Sequence, residues 1–178
     1  MLFRSHQEPI RRPPESTSLD YEAELAVVIG KPGRRIPREI ALDHVAGYSM
    51  FNDATLRDFQ LRTPQWTMGK NFDGTGSFGP WLVTPDSVPP GARGLRIQGR
   101  LNGRVMQDAR TDKLIFGVAE LIEAISMAIT LEPGDVIITG TPGGVGVARK
   151  PPVFMQAGDT FEVEIEGLGV LTNPVQDD

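Results

Sequence analysis

Short apolar or alternating segments make up most of this 178-residue chain, and glycine and proline separate them. An alternating or fully apolar run of four to eight residues predicts a strand, whereas apolar positions three and four apart predict a helix. The predicted strands cover residues 21–29, 44–51, 67–72, 81–84, 95–101, 104–107, 135–139, 160–166 and 169–173. The predicted helices cover residues 36–42, 54–61 and 119–131. Asn102-Gly103 is the strongest signal for a hairpin turn.

This succession of about ten strands and three helices predicts a β-rich α+β fold. The density of turns, with 20 glycines and 15 prolines, disfavours a helical bundle. A folded-over sheet or sandwich is therefore expected rather than a doubly wound sheet. Residues 1–18 are rich in Pro, Arg and Ser and are expected to form an extended lead-in. Residues 19–178 are expected to form a single domain.

Composition excludes several classes of function. The net charge of −5 provides no basic surface for nucleic acid or an anionic membrane. The chain has no cysteine, which excludes disulfides, thiolate zinc sites and a cysteine nucleophile, and only two histidines. A metal site would therefore use oxygen ligands. No apolar run reaches the ~20 residues of a membrane-spanning helix, so a soluble, cytoplasmic protein is expected.

Glu22 and Glu24 lie two residues apart in a predicted strand, so their side chains project from the same face. The apolar residues that follow indicate that both faces of this strand are buried. Two adjacent buried carboxylates are costly unless one is protonated or a cation joins them. Carboxylate oxygens suit Mg²⁺, Mn²⁺ or Ca²⁺. The alternative is a frayed strand end with both glutamates in water.

Three further polar residues follow the next predicted strand. Asp53 stands at a strand-to-helix junction, where it can cap the helix or supply a third carboxylate to the site. Arg57 and Gln60 follow at helical spacing and share a face with Asp53. An ordinary solvated face explains the same pattern.

Lys70 and the segment around Thr141 complete the candidate residues. The alternation in residues 66–72 places Lys70 on the side of Trp66 and Phe72, where a lysine either extends to solvent or is held by buried carboxylates. Beside a metal–carboxylate cluster it could stabilise an enolate. The glycine-rich segment 138–146 lacks the features of a Walker A loop or a Rossmann turn. It is either a plain turn or a concavity of backbone N–H groups, with the Thr141 hydroxyl, that suits a carboxylate.

Together these segments resemble the C-terminal catalytic domain of the fumarylacetoacetate hydrolase family. The resemblance covers roughly residues 19–174, and the motifs occur in the family's order. They are DYEAELAVVIGK at 20–31, NDATLRD at 52–58, GKNF at 69–72 with FGPW at 78–81, NG at 102–103, and GDVIITGTPGGVG at 134–146. Five ordered motifs are far more specific than any one of them.

The resemblance implies a mixed β-sandwich roll, a homodimer, and a site for Mg²⁺ or Mn²⁺, with Ca²⁺ as a further candidate. It assigns the metal to Glu22, Glu24 and Asp53. It assigns substrate contacts to the following residues: Arg57, Gln60, Lys70 and Thr141. Lys70 is also the expected catalytic residue, because it adds positive charge where an enolate develops.

The activity that the resemblance implies is metal-dependent hydrolysis of a C–C bond in a 2-oxo or 1,3-diketo acid, of the acylpyruvate or fumarylacetoacetate type. The alternative is isomerisation or decarboxylation of related substrates, of the 5-carboxymethyl-2-hydroxymuconate or oxaloacetate type. Hydrolytic relatives carry a His–Glu pair on a lid upstream of the Glu-x-Glu strand. Residues 1–18 show no match to that lid, and His6 does not fit its pattern, so the resemblance assigns no residue to the activation of water.

Two hypotheses from other classes of function remain open. One is a metal-binding dimer without catalysis, and the other is a sugar- or nucleotide-binding module that uses the glycine-rich loop. Metal-dependent turnover of a 2-oxo acid separates the enzyme from the first. Nucleotide binding that persists without metal and without Lys70 would favour the second.

Overall fold

Eleven strands carry the fold in a computed structural model that describes residues 3–178. They are β1 (Ile10–Arg12), β2 (Leu19–Asp20), β3 (Ala23–Ile29), β4 (Val45–Asn52), β5 (Thr55–Leu56), β6 (Ser77–Val83), β7 (Arg96–Leu101), β8 (Arg104–Arg110), β9 (Val136–Ile138), β10 (Thr160–Ile165) and β11 (Gly169–Asp177). The α-helices are α1 (Arg57–Gln60) and α2 (Val118–Ala128). The 3₁₀ helices are Arg38–His44, Trp66–Lys70, Pro85–Ser87, Pro90–Ala92, Thr111–Lys113 and Gly146–Ala148.

Two sheets pack face to face and enclose the core. One has the strand order β6-β4-β3-β9, and the other has the order β1-β11-β10-β7-β8. All pairs are antiparallel except β1 with β11, which makes the second sheet mixed. Between the sheets, the Tyr21 ring stacks on Phe161 with 4.9 Å between ring centroids. The predicted β-rich α+β sandwich is thus confirmed.

The central strand β3 is buried on both faces, as its apolar run predicts. It pairs with β4 on one side and β9 on the other, so its backbone is satisfied along both edges. In this register Ala23 lies opposite Asn52. The start of β3 and the end of β4 therefore meet, and this end of the sheet carries the candidate carboxylates.

The hairpin and the longer helix follow their sequence signals. Asn102 and Gly103 connect β7 to β8 with φ values of 51° and 75°, the left-handed pair that a type I′ turn needs. Helix α2 begins after Gly117, whose N–H donates to the Glu120 carboxylate. It ends at Ala128, three residues before the predicted end.

Two predicted elements are wrong. Residues 67–72 form no strand; instead Trp66–Lys70 is a 3₁₀ helix. A side chain at Gly69 would place its Cβ 2.6 Å from the backbone N of Gln60, so this turn packs against α1 at a distance that only glycine permits. Of the helix predicted over residues 54–61, the structure contains only the single turn α1. The first residues of the predicted helix instead form β5, which pairs with β2.

The first and last strands of the chain lie side by side. Within the expected lead-in, β1 pairs in parallel with β11, and Ile10 lies opposite Val175. Both side chains are buried. Across residues 3–178, none of the helices combines the length and the apolar character that crossing a membrane requires.

Candidate metal and substrate site

Three buried carboxylates converge where β3 begins and β4 ends. Glu22 lies just before β3, Glu24 lies within it, and Asp53 follows β4; they are 7%, 3% and 3% exposed. One oxygen from each lies within 4.8 Å of the others. The Asp53 N–H donates to the Glu22 carbonyl over 2.9 Å, which fixes the junction to the strand. The structure therefore brings together the three residues that the sequence proposes as metal ligands.

Two cations hold this cluster from one side. Lys70 Nζ donates to Glu22 Oε2 over 2.8 Å, to Thr55 Oγ1 over 3.1 Å, and also to Asp53 Oδ2. The 3₁₀ helix that replaces the predicted strand delivers this amine. Arg57, at the start of α1, places Nη2 2.7 Å from Glu22 Oε1.

The electrostatics show that the carboxylates are not fully balanced. Burial, with the charge of Asp53 beside it, raises the pKa of Glu24 to about 8, although the Gly140 N–H donates to it. Burial likewise raises the pKa of Asp53, against the attraction of Lys70. Burial opposes the charge of Lys70, but Asp53 and Glu22 outweigh that effect and raise its pKa. Lys70 is therefore a fixed positive charge at neutral pH.

The donor set fits a divalent cation. Among the described residues, no group donates a hydrogen bond to the buried Asp53 Oδ1. Four carboxylates, those of the cluster and Asp20, face the two cations Arg57 and Lys70, which leaves two negative charges when Glu24 is ionised. Hard carboxylate oxygens at this separation suit Mg²⁺, Mn²⁺ or Ca²⁺. A cation bound here would displace the proton that burial favours on Glu24.

A cleft of about 420 Å³ opens above the cluster and contains all seven residues singled out from the sequence. Its walls are formed by Glu22, Glu24, Asp53, Arg57, Gln60, Trp66, Lys70, Ile138, Gly140 and Thr141. The Trp66 ring is more than half exposed at the rim. The cleft has room for a small organic acid beside a metal ion.

The Thr141 hydroxyl is already engaged within the protein. It donates to the Ala23 carbonyl over 3.0 Å and accepts from Gln107 Nε2 over 2.8 Å. Gln107 is buried, and its own oxygen accepts from the Ala23 N–H over 3.0 Å. Sequence reasoning missed Gln107, because the alternation of β8 gives no sign that its amide reaches the glycine-rich loop.

Neither histidine lies in the cleft. His6 Nδ1 accepts from the Thr172 N–H over 3.0 Å, and His44 Nδ1 lies 2.9 Å from the Lys31 carbonyl. Among residues 3–178, the ionisable groups lining the cleft are therefore carboxylates, one lysine and one arginine.

The whole arrangement matches one known family. The family profile described as "Fumarylacetoacetate (FAA) hydrolase C-terminal" matches residues 2–176. The chain belongs to the fumarylacetoacetate hydrolase family. The fold agrees, since fumarylacetoacetate hydrolase from Exiguobacterium antarcticum superposes with a TM-score of 0.93 and 43% identity, covering 98% of this chain and 62% of that one. The 5-carboxymethyl-2-hydroxymuconate delta-isomerase of Mycobacterium smegmatis gives a TM-score of 0.89 and 38% identity, covering 98% and 65%.

Curated relatives within the fumarylacetoacetate hydrolase family carry names of tautomerases. The chain is 48% identical over 170 residues to the oxaloacetate tautomerase fahd2, mitochondrial, of Xenopus laevis, covering 94% of this chain and 53% of that protein. It is 46% identical to the oxaloacetate tautomerase YisK of Bacillus subtilis, covering 98% and 56%. The chain thus spans about half the length of the curated relatives it matches. Their names favour the isomerase alternative over C–C hydrolysis. The animal relatives carry mitochondrial names, so the cytoplasmic location expected from the sequence stays a prediction.

Proposed function

We propose that this chain catalyses the keto–enol tautomerisation of a 2-oxo dicarboxylic acid of the oxaloacetate type, with Mg²⁺ or Mn²⁺ as cofactor. The observation that carries the proposal is the convergence of Glu22, Glu24 and Asp53 in a cleft beside Lys70. The tautomerase names of the relatives support it.

Each part of the site has a task in this reaction. Glu22, Glu24 and Asp53 would hold the divalent cation, which when bound would supply Lewis acidity to the substrate's carbonyl. Lys70, positively charged at the cleft wall, stabilises the negative charge that develops on the oxygen as C3 loses its proton to a water molecule in the cleft. Arg57 and the backbone of the Gly140–Thr141 turn lie where they can orient substrate carboxylates, and Gln60 holds Arg57 through a 2.9 Å hydrogen bond.

The ionisable groups of the cleft favour tautomerisation over hydrolysis. Tautomerisation moves a proton from C3 to oxygen, and solvent water can accept and return that proton, whereas C–C hydrolysis also needs a group that turns water into a nucleophile. No imidazole faces the cleft in the part of the chain that the structure describes, and its three clustered carboxylates are the groups that would hold the metal. Hydrolysis and decarboxylation remain the alternatives to be measured against the proposed reaction.

Deuterium exchange at C3 of oxaloacetate tests the proposal. In D₂O with Mg²⁺, we expect the protein to accelerate exchange above the rate with Mg²⁺ alone, and above its rate of C–C cleavage of acetylpyruvate. Exchange should fall sharply in Glu24→Ala, which removes a ligand, and in samples treated with a chelator. Cleavage faster than exchange would contradict the proposal in favour of a hydrolase. Metal binding without any exchange would favour a non-catalytic metal-binding protein.

We also propose that the chain forms a homodimer. Ile115 and Phe116 are 89% and 61% exposed just before α2, a contiguous apolar surface of the kind that subunit interfaces cover. Light scattering at micromolar concentration should give a mass of about twice the 19.4 kDa of one chain. A particle with the mass of one chain would contradict this expectation.

A further inference from the structure

Asp20 is a fully buried carboxylate behind the cleft, and two distant segments of the chain converge on it. Its Oδ1 accepts from the N–H of Tyr21 over 2.8 Å and of Gly146 over 2.7 Å. Its Oδ2 accepts from the N–H of Val147 over 2.9 Å and from Arg57 Nε over 2.8 Å. One side chain at the end of β2 thus joins α1 to the far half of the glycine-rich loop.

The guanidinium of Arg57 contacts Asp20 on one side and the candidate metal and substrate site on the other. Nε is bound to Asp20, Nη1 donates to Gln60 Oε1, and Nη2 lies against Glu22 Oε1. The bond to Asp20 therefore sets the angle of the planar guanidinium from the side away from the substrate. Without it, the guanidinium could pair with Glu22 through both terminal nitrogens, which would draw that carboxylate away from the metal.

Gly146 shows how closely the loop is held on Asp20. A Cβ there would lie 2.6 Å from Asp20 Oδ1 and 1.8 Å from the Val153 carbonyl. Only glycine lets the loop backbone approach this far. The first half of the same loop, Gly140 and Thr141, lines the cleft.

We propose that Asp20 is a positioning residue, which sets Arg57 and the glycine-rich loop in the orientation that binds the substrate's carboxylate. This inference rests on the proposed function, because it assumes that the cleft takes a 2-oxo acid. Asp20 is not among the residues that line the cleft, so it acts through Arg57 and the loop. Its burial and its four hydrogen bonds are the features that carry the assignment.

The test uses Asp20→Asn, whose amide oxygen can still accept from Gly146 while its NH₂ group faces Arg57 Nε as a second donor. Partners that orient a site's groups typically contribute 10- to 100-fold to affinity or activity. We expect about that rise in KM for oxaloacetate, with kcat within a few-fold. Oxalate, a planar analogue of an enolised 2-oxo acid, should bind correspondingly more weakly in calorimetry with Mg²⁺. Asp58→Asn, an exposed neighbour of Arg57, is the matched control and should change neither value.

A double-mutant cycle separates positioning from general support of the fold. If Asp20 acts through Arg57, Asp20→Asn combined with Arg57→Lys should weaken oxalate binding little more than Arg57→Lys alone. Multiplicative losses would overturn the part of the proposal that acts through Arg57, and a folded Asp20→Asn protein with wild-type oxalate affinity would overturn the whole proposal. If Asp20→Asn does not fold, Asp20→Glu carries the same test, since it displaces the carboxylate by one methylene. The oxalate measurement does not require turnover, so a wild-type protein that binds oxalate without exchanging oxaloacetate refutes the proposed function alone.

Discussion

Asp53→Asn is expected to lower the rate of Mg²⁺-dependent exchange by about 10³-fold, because Lewis-acid stabilisation is worth several kcal/mol and each 1.36 kcal/mol is a factor of ten. The substitution keeps the shape of the side chain but removes the charge. Because the amide oxygen must face Lys70, the NH₂ group takes the place of Oδ1, the oxygen that has no hydrogen-bond donor among the described residues. Thermal unfolding provides a second readout. At an Mg²⁺ concentration of 100 times Kd, binding stabilises the wild-type protein by about 2.7 kcal/mol, and this gain should vanish in the variant.

The metal-free proteins distinguish this result from misfolding. Without Mg²⁺, Asp53→Asn removes one of three neighbouring carboxylates and relieves repulsion on Glu24, so its melting temperature should stay near that of the wild type. Asp86→Asn, an exposed carboxylate near β6, is the control for the loss of one charge and should keep the full Mg²⁺ effect. If Asp53→Asn retains both the exchange rate and the Mg²⁺-induced stabilisation, the metal assignment is wrong.

Lys70→Met is expected to slow exchange by about 10²- to 10³-fold, the usual cost of removing one preorganised group that stabilises a developing oxyanion. Unlike Asp53→Asn, it should not weaken the binding of Mg²⁺. Lys70 Nζ occupies oxygens of Glu22 and Asp53 that a cation would also use. Its removal should therefore leave Mg²⁺ binding, measured by calorimetry, as tight as in the wild type or tighter.

Lys31→Met, which replaces an exposed lysine just after β3, is the matched control and should behave as the wild type in both measurements. A loss of Mg²⁺ affinity in Lys70→Met in step with the loss of exchange would mean that Lys70 supports the cluster's geometry. It would then have no separate part in stabilising the enolate.

The strands that alternate or are wholly apolar could be predicted from the sequence, because burial on one or both faces imposes that pattern directly. The run at 21–29 is of this kind, and β3 occupies all but its first two residues. The segment at 67–72 has the same alternation and yet forms a 3₁₀ helix. What decides it is the approach of Gly69 to the backbone of Gln60, a contact between segments that no local pattern contains.

The candidate site divides in the same way. Glu22 and Glu24 share a face by strand geometry alone, and the family's motifs supplied Asp53, Lys70 and Thr141. The residues that hold these side chains from behind, such as Asp20, could not be predicted from the sequence. The local sequence around Asp20 predicts only a polar residue at the end of a strand. Its hydrogen bonds to Gly146 and Arg57 connect residues that are 126 and 37 positions away in the chain. Sequence patterns report what is buried but do not identify the distant partner that makes burial of a carboxylate tolerable.

The parallel pairing of β1 with β11 has a consequence for synthesis on the ribosome. Arg12 lies opposite Asp177, so β1 has no β11 to pair with until a further 165 residues have been synthesised. At about 5–20 residues per second, that interval lasts roughly ten seconds or more. Throughout it, Ile10 lacks the strand that lies beside it in the folded protein, where its side chain is buried. The mixed sheet can therefore be completed only after β11 has been synthesised.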